Sequence, residues 1–213
     1  MSEQLPLPGI GRDWRNDAAL RRRHEAPPEG NGPIEWTTPP CVRAAAIRFV
    51  LPLLRPGLIW EPCPGVGELA QAFRDAGRKV VVTDGNCLDV KKPPHGARIA
   101  FTNSPWNELL IIKRKKISVF GLIIDHLLAM YDARQLDTVV LLMRNDHLTA
   151  ESQRPPHTRI AALQRADREI DCCWRPLWLP GTTGNGRFTC TWVGWGIEPG
   201  PTIRVKKEDV IWR

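Results

Sequence analysis

The stretch Ile59-Trp60-Glu61-Pro62-Cys63-Pro64-Gly65-Val66-Gly67-Glu68-Leu69 limits the fold of this chain more than any other. A short apolar run ends on an acid, a glycine-rich turn follows, and a helical pattern begins at once. Leu69, Ala72, Phe73 and Ala76 share one helical face, with Gly77 placed to end it. Lys79-Val80-Val81-Val82-Thr83-Asp84 then reads as a second buried strand with an acid at its carboxyl end. Strand, turn, helix and strand make a βαβ unit, which implies a parallel sheet with its ligands at the carboxyl edge of the strands. Glycine lacks a Cβ and adopts positive φ, and a helix N-terminus offers unpaired N–H groups, so such a turn brings bare backbone to a ligand. The expected ligand is a nucleotide-like cofactor.

The rest of the chain extends this unit. At 213 residues there is room for one well-cored domain. Residues 1–33 mix proline, glycine and charge, including Arg12, Arg15, Arg21, Arg22 and Arg23, and predict a flexible basic arm. Residues 34–213 are the folded domain. Glu35-Trp36-Thr37-Thr38-Pro39-Pro40 is a stiff lead-in, because proline fixes φ and disfavours helix in the residue before it. Helical periodicity over 41–54 follows, ended by Pro52 and then Pro56-Gly57. Beyond the βαβ unit, 85–97 is turn-rich, and Arg98-Ile99-Ala100-Phe101-Thr102 rises as a third strand ending in Asn103-Ser104-Pro105-Trp106. A basic cluster at 113–116 precedes a helix in which Phe120, Ile123, Ile124, Leu127, Leu128 and Tyr131 recur at helical spacing, and 138–143 reads as a fourth parallel strand. A short helix is expected around 159–166. Two aromatic and β-branched segments, 174–179 and 188–195, flank a glycine loop and predict an antiparallel hairpin. In the second, Trp192 and Gly194 fall on one face and Val193 and Trp195 on the other, as in a strand covered on both sides.

Composition narrows the class. Thirty Lys and Arg against 23 Asp and Glu give a net charge of +7, which favours polyanionic partners. The six cysteines, Cys41, Cys63, Cys87, Cys172, Cys173 and Cys190, include no C-x-x-C pair, and the histidines show no metal spacing, so packing thiols and no metal are expected. No apolar run approaches the roughly 18 to 20 residues that cross a bilayer, and no secretion signal opens the chain, so a cytoplasmic protein without a membrane partner is expected. Nine tryptophans against one tyrosine, four of them at 174–195, call for a separate explanation.

The turn by itself suits two ligands. Gly65-x-Gly67-x-x-Ala70 fits the dinucleotide fingerprint, and Asp84 lies near the spacing at which an acid meets a ribose diol. Glu61, directly before the turn, tilts the choice: it would face a pyrophosphate in a nicotinamide site, whereas the ammonium group of S-adenosylmethionine would welcome it. With Asn103-Ser104-Pro105-Trp106 closing the third strand, the chain resembles the class I S-adenosylmethionine-dependent methyltransferases, and among them the group acting on adenine N6 in DNA or RNA. That group carries an Asn/Asp-Pro-Pro-aromatic motif here, a glycine loop after the first strand and an acid after the second. Glu35-Trp36-Thr37-Thr38-Pro39 is similar to the Thr-Pro element ahead of the loop in many members, including phage-type adenine methyltransferases. The resemblance covers roughly residues 35–195 and rests on the order of the motifs.

It implies a Rossmann-like α/β fold: a mostly parallel sheet, helices on both faces and a C-terminal antiparallel hairpin. It implies a cofactor site of Thr38, Pro39, Glu61, Pro62, Cys63, Gly65, Gly67, Asp84 and Gly85, with S-adenosylmethionine bound. Asp89 is a candidate for the cofactor's adenine amine, with Asn86 or a plain turn role as alternatives. The catalytic set is Asn103 through its side-chain amide, Ser104 through its carbonyl, Pro105, and Trp106 as a stacking face for a flipped base. Ser104 stands where the family has proline; the carbonyl survives that change, while the stiffness of the loop does not. A conjugated exocyclic amine is a poor nucleophile, and two acceptors favouring its pyramidal form aim the lone pair at the sulfonium methyl. The expected function is therefore methyl transfer to adenine N6 in DNA. RNA or a protein side-chain amide as substrate, a catalytically weakened nucleic-acid-binding module, and a nicotinamide dehydrogenase are the alternatives.

Overall fold

The computed structural model describes residues 38–106, 109–112, 115–145, 148, 163–176 and 188–210, with backbone alone for 109–112 and 115–117. The basic arm, Trp36 and Thr37, Lys113, most of the short helix around 159–166, and the glycine loop after residue 176 lie outside the described residues.

A seven-stranded sheet organises them. In chain order its strands are β1 (Ile59–Glu61), β2 (Val80–Val82), β3 (Ile99–Thr102), β6 (Thr138–Arg144), β7 (Arg168–Cys172), β8 (Cys190–Trp195) and β9 (Ile203–Val205). Across the sheet the order is β2-β1-β3-β6-β8-β7-β9. The first four are mutually parallel, with Ile59 opposite Val80 and Ile99, and Ile99 opposite Thr138. β8 runs antiparallel to both β6 and β7, while β9 is parallel to β7. Hence β1, β3 and β6 end, and β8 begins, on one edge of the sheet.

Each face of the sheet has its own core, because side chains alternate along a strand. Helices α1 (Pro40–Ala45) and α2 (Glu68–Asp75) cover one face: Val42, Ala45, Leu69 and Phe73 pack on Ile59, Phe101, Val140, Leu142 and Trp192. Helix α3 (Val119–Asp132) covers the other, setting Phe120, Ile123, Ile124 and Leu127 against Trp60, Ala100, Val139, Leu141, Val193 and Trp195. The expected division of Trp192 from Val193 and Trp195 is thus observed. Ser118 caps α3 by accepting the Gly121 N–H at 3.3 Å.

Four differences from the sequence reading have physical causes. The 41–54 segment is not one α-helix: α1 widens into a π-turn at Ala46–Val50 and tightens into a 3-10 turn at Leu51–Leu53. Pro52 has no N–H to donate and its ring crowds the carbonyl four residues back, so an α-helix cannot pass through it. β2 is an edge strand and only partly buried, with Val82 36% exposed. β8 is flanked by β6 and Arg168–Cys172 rather than by the expected 174–179, of which 177–179 lie outside the described residues: only Ile170 and Cys172 are buried in the Arg-Glu-Ile-Asp-Cys alternation, a weak apolar signal beside the tryptophans. Finally, Lys115 and Lys116 of the basic cluster lie in a strand, β5 (Lys115–Ser118), that pairs antiparallel with β4 (Leu109–Ile112), while 113 and 114 lie outside the described residues.

The tryptophans act as tethers with polar ends. Trp192 donates its indole N–H to the Val42 carbonyl at 3.3 Å and Trp174 to the Cys41 sulfur at 3.3 Å, so both pin α1 to the sheet. Trp60 donates to the Thr83 hydroxyl at 2.8 Å. A large apolar body with one directed donor suits such joints better than phenylalanine would.

Candidate functional site

The carboxyl edge of β1, β3 and β6 carries the site. After β1 the chain turns at Gly65 (φ 53°) and Gly67 (φ 85°), both left-handed, with the Gly67 N–H bonded to the Pro64 carbonyl at 2.7 Å. Gly67 is the N-cap of α2. The Cys63 N–H reaches across to the Thr102 hydroxyl at 3.2 Å, which ties the turn to the end of β3. Cys63 and Cys87 bring their sulfurs to 3.7 Å. The hydrogen bond to Cys87 and burial both push the Cys63 thiol up, so it stays neutral at physiological pH.

Glu61 lies beneath this turn. It is 1% exposed, and its Oε2 has no hydrogen-bond partner among the described residues. Burial pushes its pKa from 4.5 up to about 8, against the opposing pull of the Ala70 N–H and the Arg74 charge. A buried, half-satisfied carboxyl of this kind is uncommon in a structural core and marks a place where a cationic group would be stabilised.

Asn103 approaches from the end of β3. Its Nδ2 donates to the Thr38 hydroxyl at 3.0 Å. Thr38 is buried, and its carbonyl accepts from the Arg43 guanidinium at 2.8 Å; the same guanidinium nitrogen pairs with Glu68 of α2 at 2.7 Å. Thr38, Glu61, Cys63 and Asn103, all expected as site residues, therefore line one cleft with Pro64 and Leu69. The cleft is tight, about 10 Å³, room for a single water.

The other expected residues sit around it. Pro39 is the N-cap of α1 and Pro62 is buried behind the turn. Asp84, Gly85 (φ 100°) and Asp89 are exposed beyond β2, with Asn86 accepting the Leu88 N–H at 3.1 Å, so Asn86 serves the turn. Ser104 is buried, its hydroxyl without a hydrogen-bond partner among the described residues, and is followed by a half-buried Pro105. Trp106 is half-buried: its N–H bonds the Leu142 carbonyl at 2.9 Å, one residue past the last β3–β6 pair. It meets Phe188 edge-on, centroids 5.5 Å apart at 71°, and the Arg144 guanidinium stacks on Phe188 at 4.3 Å.

Arg43, Glu68, Arg144 and Phe188 are site neighbours that the sequence reading did not find. Arg43 and Glu68 are joined across 25 positions by the docking of α1 against α2, and no local pattern marks them. Glu68 alone had a signal, as an acid in the first turn of the helix after the glycines. Among the described residues no group of three or more His, Cys, Asp or Glu could hold a metal, and no helix is long and apolar enough to cross a membrane.

No family model matches this sequence, and no curated protein matches it. Solved structures do match in shape. The chain is similar to a candidate class I S-adenosylmethionine-dependent methyltransferase from Listeria monocytogenes, at TM-score 0.50 and 10% identity over 83% of this chain and 68% of that one. It is more distantly similar to a candidate RNA methyltransferase from Pyrococcus horikoshii (TM-score 0.47, 10% identity, 80% and 90% of the two chains). A third is the 23S rRNA methyltransferase ErmE (TM-score 0.42, 14% identity, 73% and 68%). The first likeness shows the fold: this chain has the Rossmann-like architecture of the class I methyltransferases.

Proposed function

We propose that this protein transfers a methyl group from S-adenosylmethionine to the exocyclic N6 amine of adenine in nucleic acid, with DNA as the polymer. The observation that carries the reading is the meeting of Asn103, at the end of β3, with the buried Glu61 carboxyl in one cleft beside a left-handed glycine turn. The residues fit the cofactor. The orphaned Glu61 oxygen would gain a partner from an α-ammonium group, the turn offers backbone without Cβ atoms, and exposed Asp84 stands ready for a ribose diol. Because the inner cleft has room for only one water, the nucleoside portion would lie outside it, over the exposed side of the turn at Gly65.

In this reading S-adenosylmethionine supplies an electrophilic sulfonium methyl, and the chain supplies position. The Asn103 Oδ1 and the Ser104 carbonyl accept from the target N6 amine, drawing its nitrogen towards the pyramidal form whose lone pair attacks. Trp106 and Phe188 form an aromatic corner against which an extruded base would rest, and the proton leaving N6 after transfer passes to solvent. A net charge of +7 supports a polyanionic substrate.

Nucleoside mass spectrometry on DNA and on RNA after incubation with the protein and S-adenosylmethionine tests the reading. N6-methyladenine in DNA, lost in Asn103→Ala while the variant still binds the cofactor by calorimetry, is the expected result. Methylation confined to RNA moves the substrate and keeps the chemistry; full transfer by Asn103→Ala overturns the mechanism.

A further inference from the structure

We infer that Thr38 is a positioning residue for Asn103, held in place by Arg43 and Glu68, so that the cofactor loop and the amino-group site are set by one continuous strut. The inference rests on the methyl-transfer reading and assigns Thr38, expected above as a cofactor contact, a role it does not require.

An asparagine amide has two chemically opposite ends on one rotatable bond. Only Oδ1 can accept from an incoming amine; a rotation of half a turn would present Nδ2, a donor, and repel it. In the structure Nδ2 is engaged by the Thr38 hydroxyl at 3.0 Å, which leaves the oxygen end of the amide for the substrate. The hydroxyl can do this only if Thr38 is itself fixed, and three features fix it. Thr38 is 6% exposed, so its side chain has little room to turn. Pro39 follows, disfavouring helical backbone at Thr38, and Pro40 begins α1 directly after. Its carbonyl is gripped by Arg43 at 2.8 Å. Arg43 in turn reaches Glu68, the first residue of α2, at 2.7 Å. The run Glu68–Arg43–Thr38–Asn103 thus joins the helix that follows the cofactor turn to the strand end that would hold the target, through residues far apart in sequence.

Two variants separate this from general packing. Thr38→Val keeps the shape and removes the acceptor; Thr38→Ser keeps the acceptor and removes a methyl group. With [methyl-³H]S-adenosylmethionine and unmethylated genomic DNA or total RNA, Thr38→Val is expected to lower kcat about 10- to 100-fold with the KM for the cofactor changed less than about threefold, and Thr38→Ser to stay within about threefold of wild type. The second readout needs no turnover: the ¹⁵N–¹H resonances of the Asn103 side-chain amide, assigned by their loss in Asn103→Ala. They are expected to move, and their hydrogen exchange to speed about tenfold or more, in Thr38→Val and to keep the wild-type position in Thr38→Ser. An Asn103 amide unchanged in Thr38→Val overturns the inference, as does a Thr38→Val enzyme with wild-type kcat. A wild-type protein inactive on both polymers overturns the functional reading, while the amide resonances still decide whether Thr38 orients Asn103.

Discussion

Glu61 shows how a single residue can link stability, pH and ligand. Its carboxyl titrates near 4.5 when exposed and near 8 when folded, so between those values the folded chain keeps a proton that the unfolded chain has lost. Stability from this group is full below pH 4.5 and declines as pH rises towards 8. Urea melts across that range are expected to show an unfolding free energy that falls by a few kcal/mol in total, and Glu61→Gln is expected to flatten the slope. A cationic ligand reverses the preference by drawing the proton off. Binding of S-adenosylmethionine at pH 7 is accordingly expected to release roughly one proton, measurable as a dependence of the calorimetric heat on buffer ionisation enthalpy, and Glu61→Gln to release none. The residue's identity was readable in the sequence as an acid before a glycine turn. Its burial was not, since that depends on α2 folding over it.

At the scale of elements, two glycines illustrate different constraints. Gly67 caps α2 at φ 85° with open space where a Cβ would lie, so Gly67→Ala carries only the left-handed backbone penalty, about 1 kcal/mol. Gly196, at φ 69° after β8, would place a Cβ 1.9 Å from the Asp137 carbonyl oxygen, a collision with backbone that cannot swing aside. Gly196→Ala is expected to cost about 3 kcal/mol or more, read as a much larger fall in melting temperature than Gly67→Ala gives. The sequence marks Gly67 by its motif. Gly196 looked like any glycine ending a strand, because the Asp137 carbonyl arrives from the far side of the β6–β8 pairing. The same holds for β7 and the β4–β5 hairpin: short, partly polar strands exist by virtue of their partners, and propensity alone favoured the neighbouring tryptophans.

For the molecule as a whole, the tryptophans join parts of the chain that are distant in sequence. Phe73 meets Phe101 edge-on and Phe101 meets Trp192 at a tilt, with centroid spacings of 4.5 and 4.9 Å, linking α2, β3 and β8, while the Trp192 N–H holds α1. Trp192→Phe removes that hydrogen bond and leaves a void beneath α1, with an expected loss of about 2 kcal/mol in denaturant melts. The alternation of buried strands, the glycine turn, the acid before it and the Asn-Ser-Pro-Trp ending of β3 were all fixed by local sequence, because periodicity, φ freedom and strand ends are local properties. So the βαβ core, the parallel strands and four of the cleft-lining residues were legible from the chain alone. Which residues meet across the cleft was decided by tertiary structure. Thr38 against Asn103, Arg43 against Glu68, and Trp106 against Phe188 depend on how α1, α2 and β8 dock on the sheet, and docking sums many weak contacts that no short motif records.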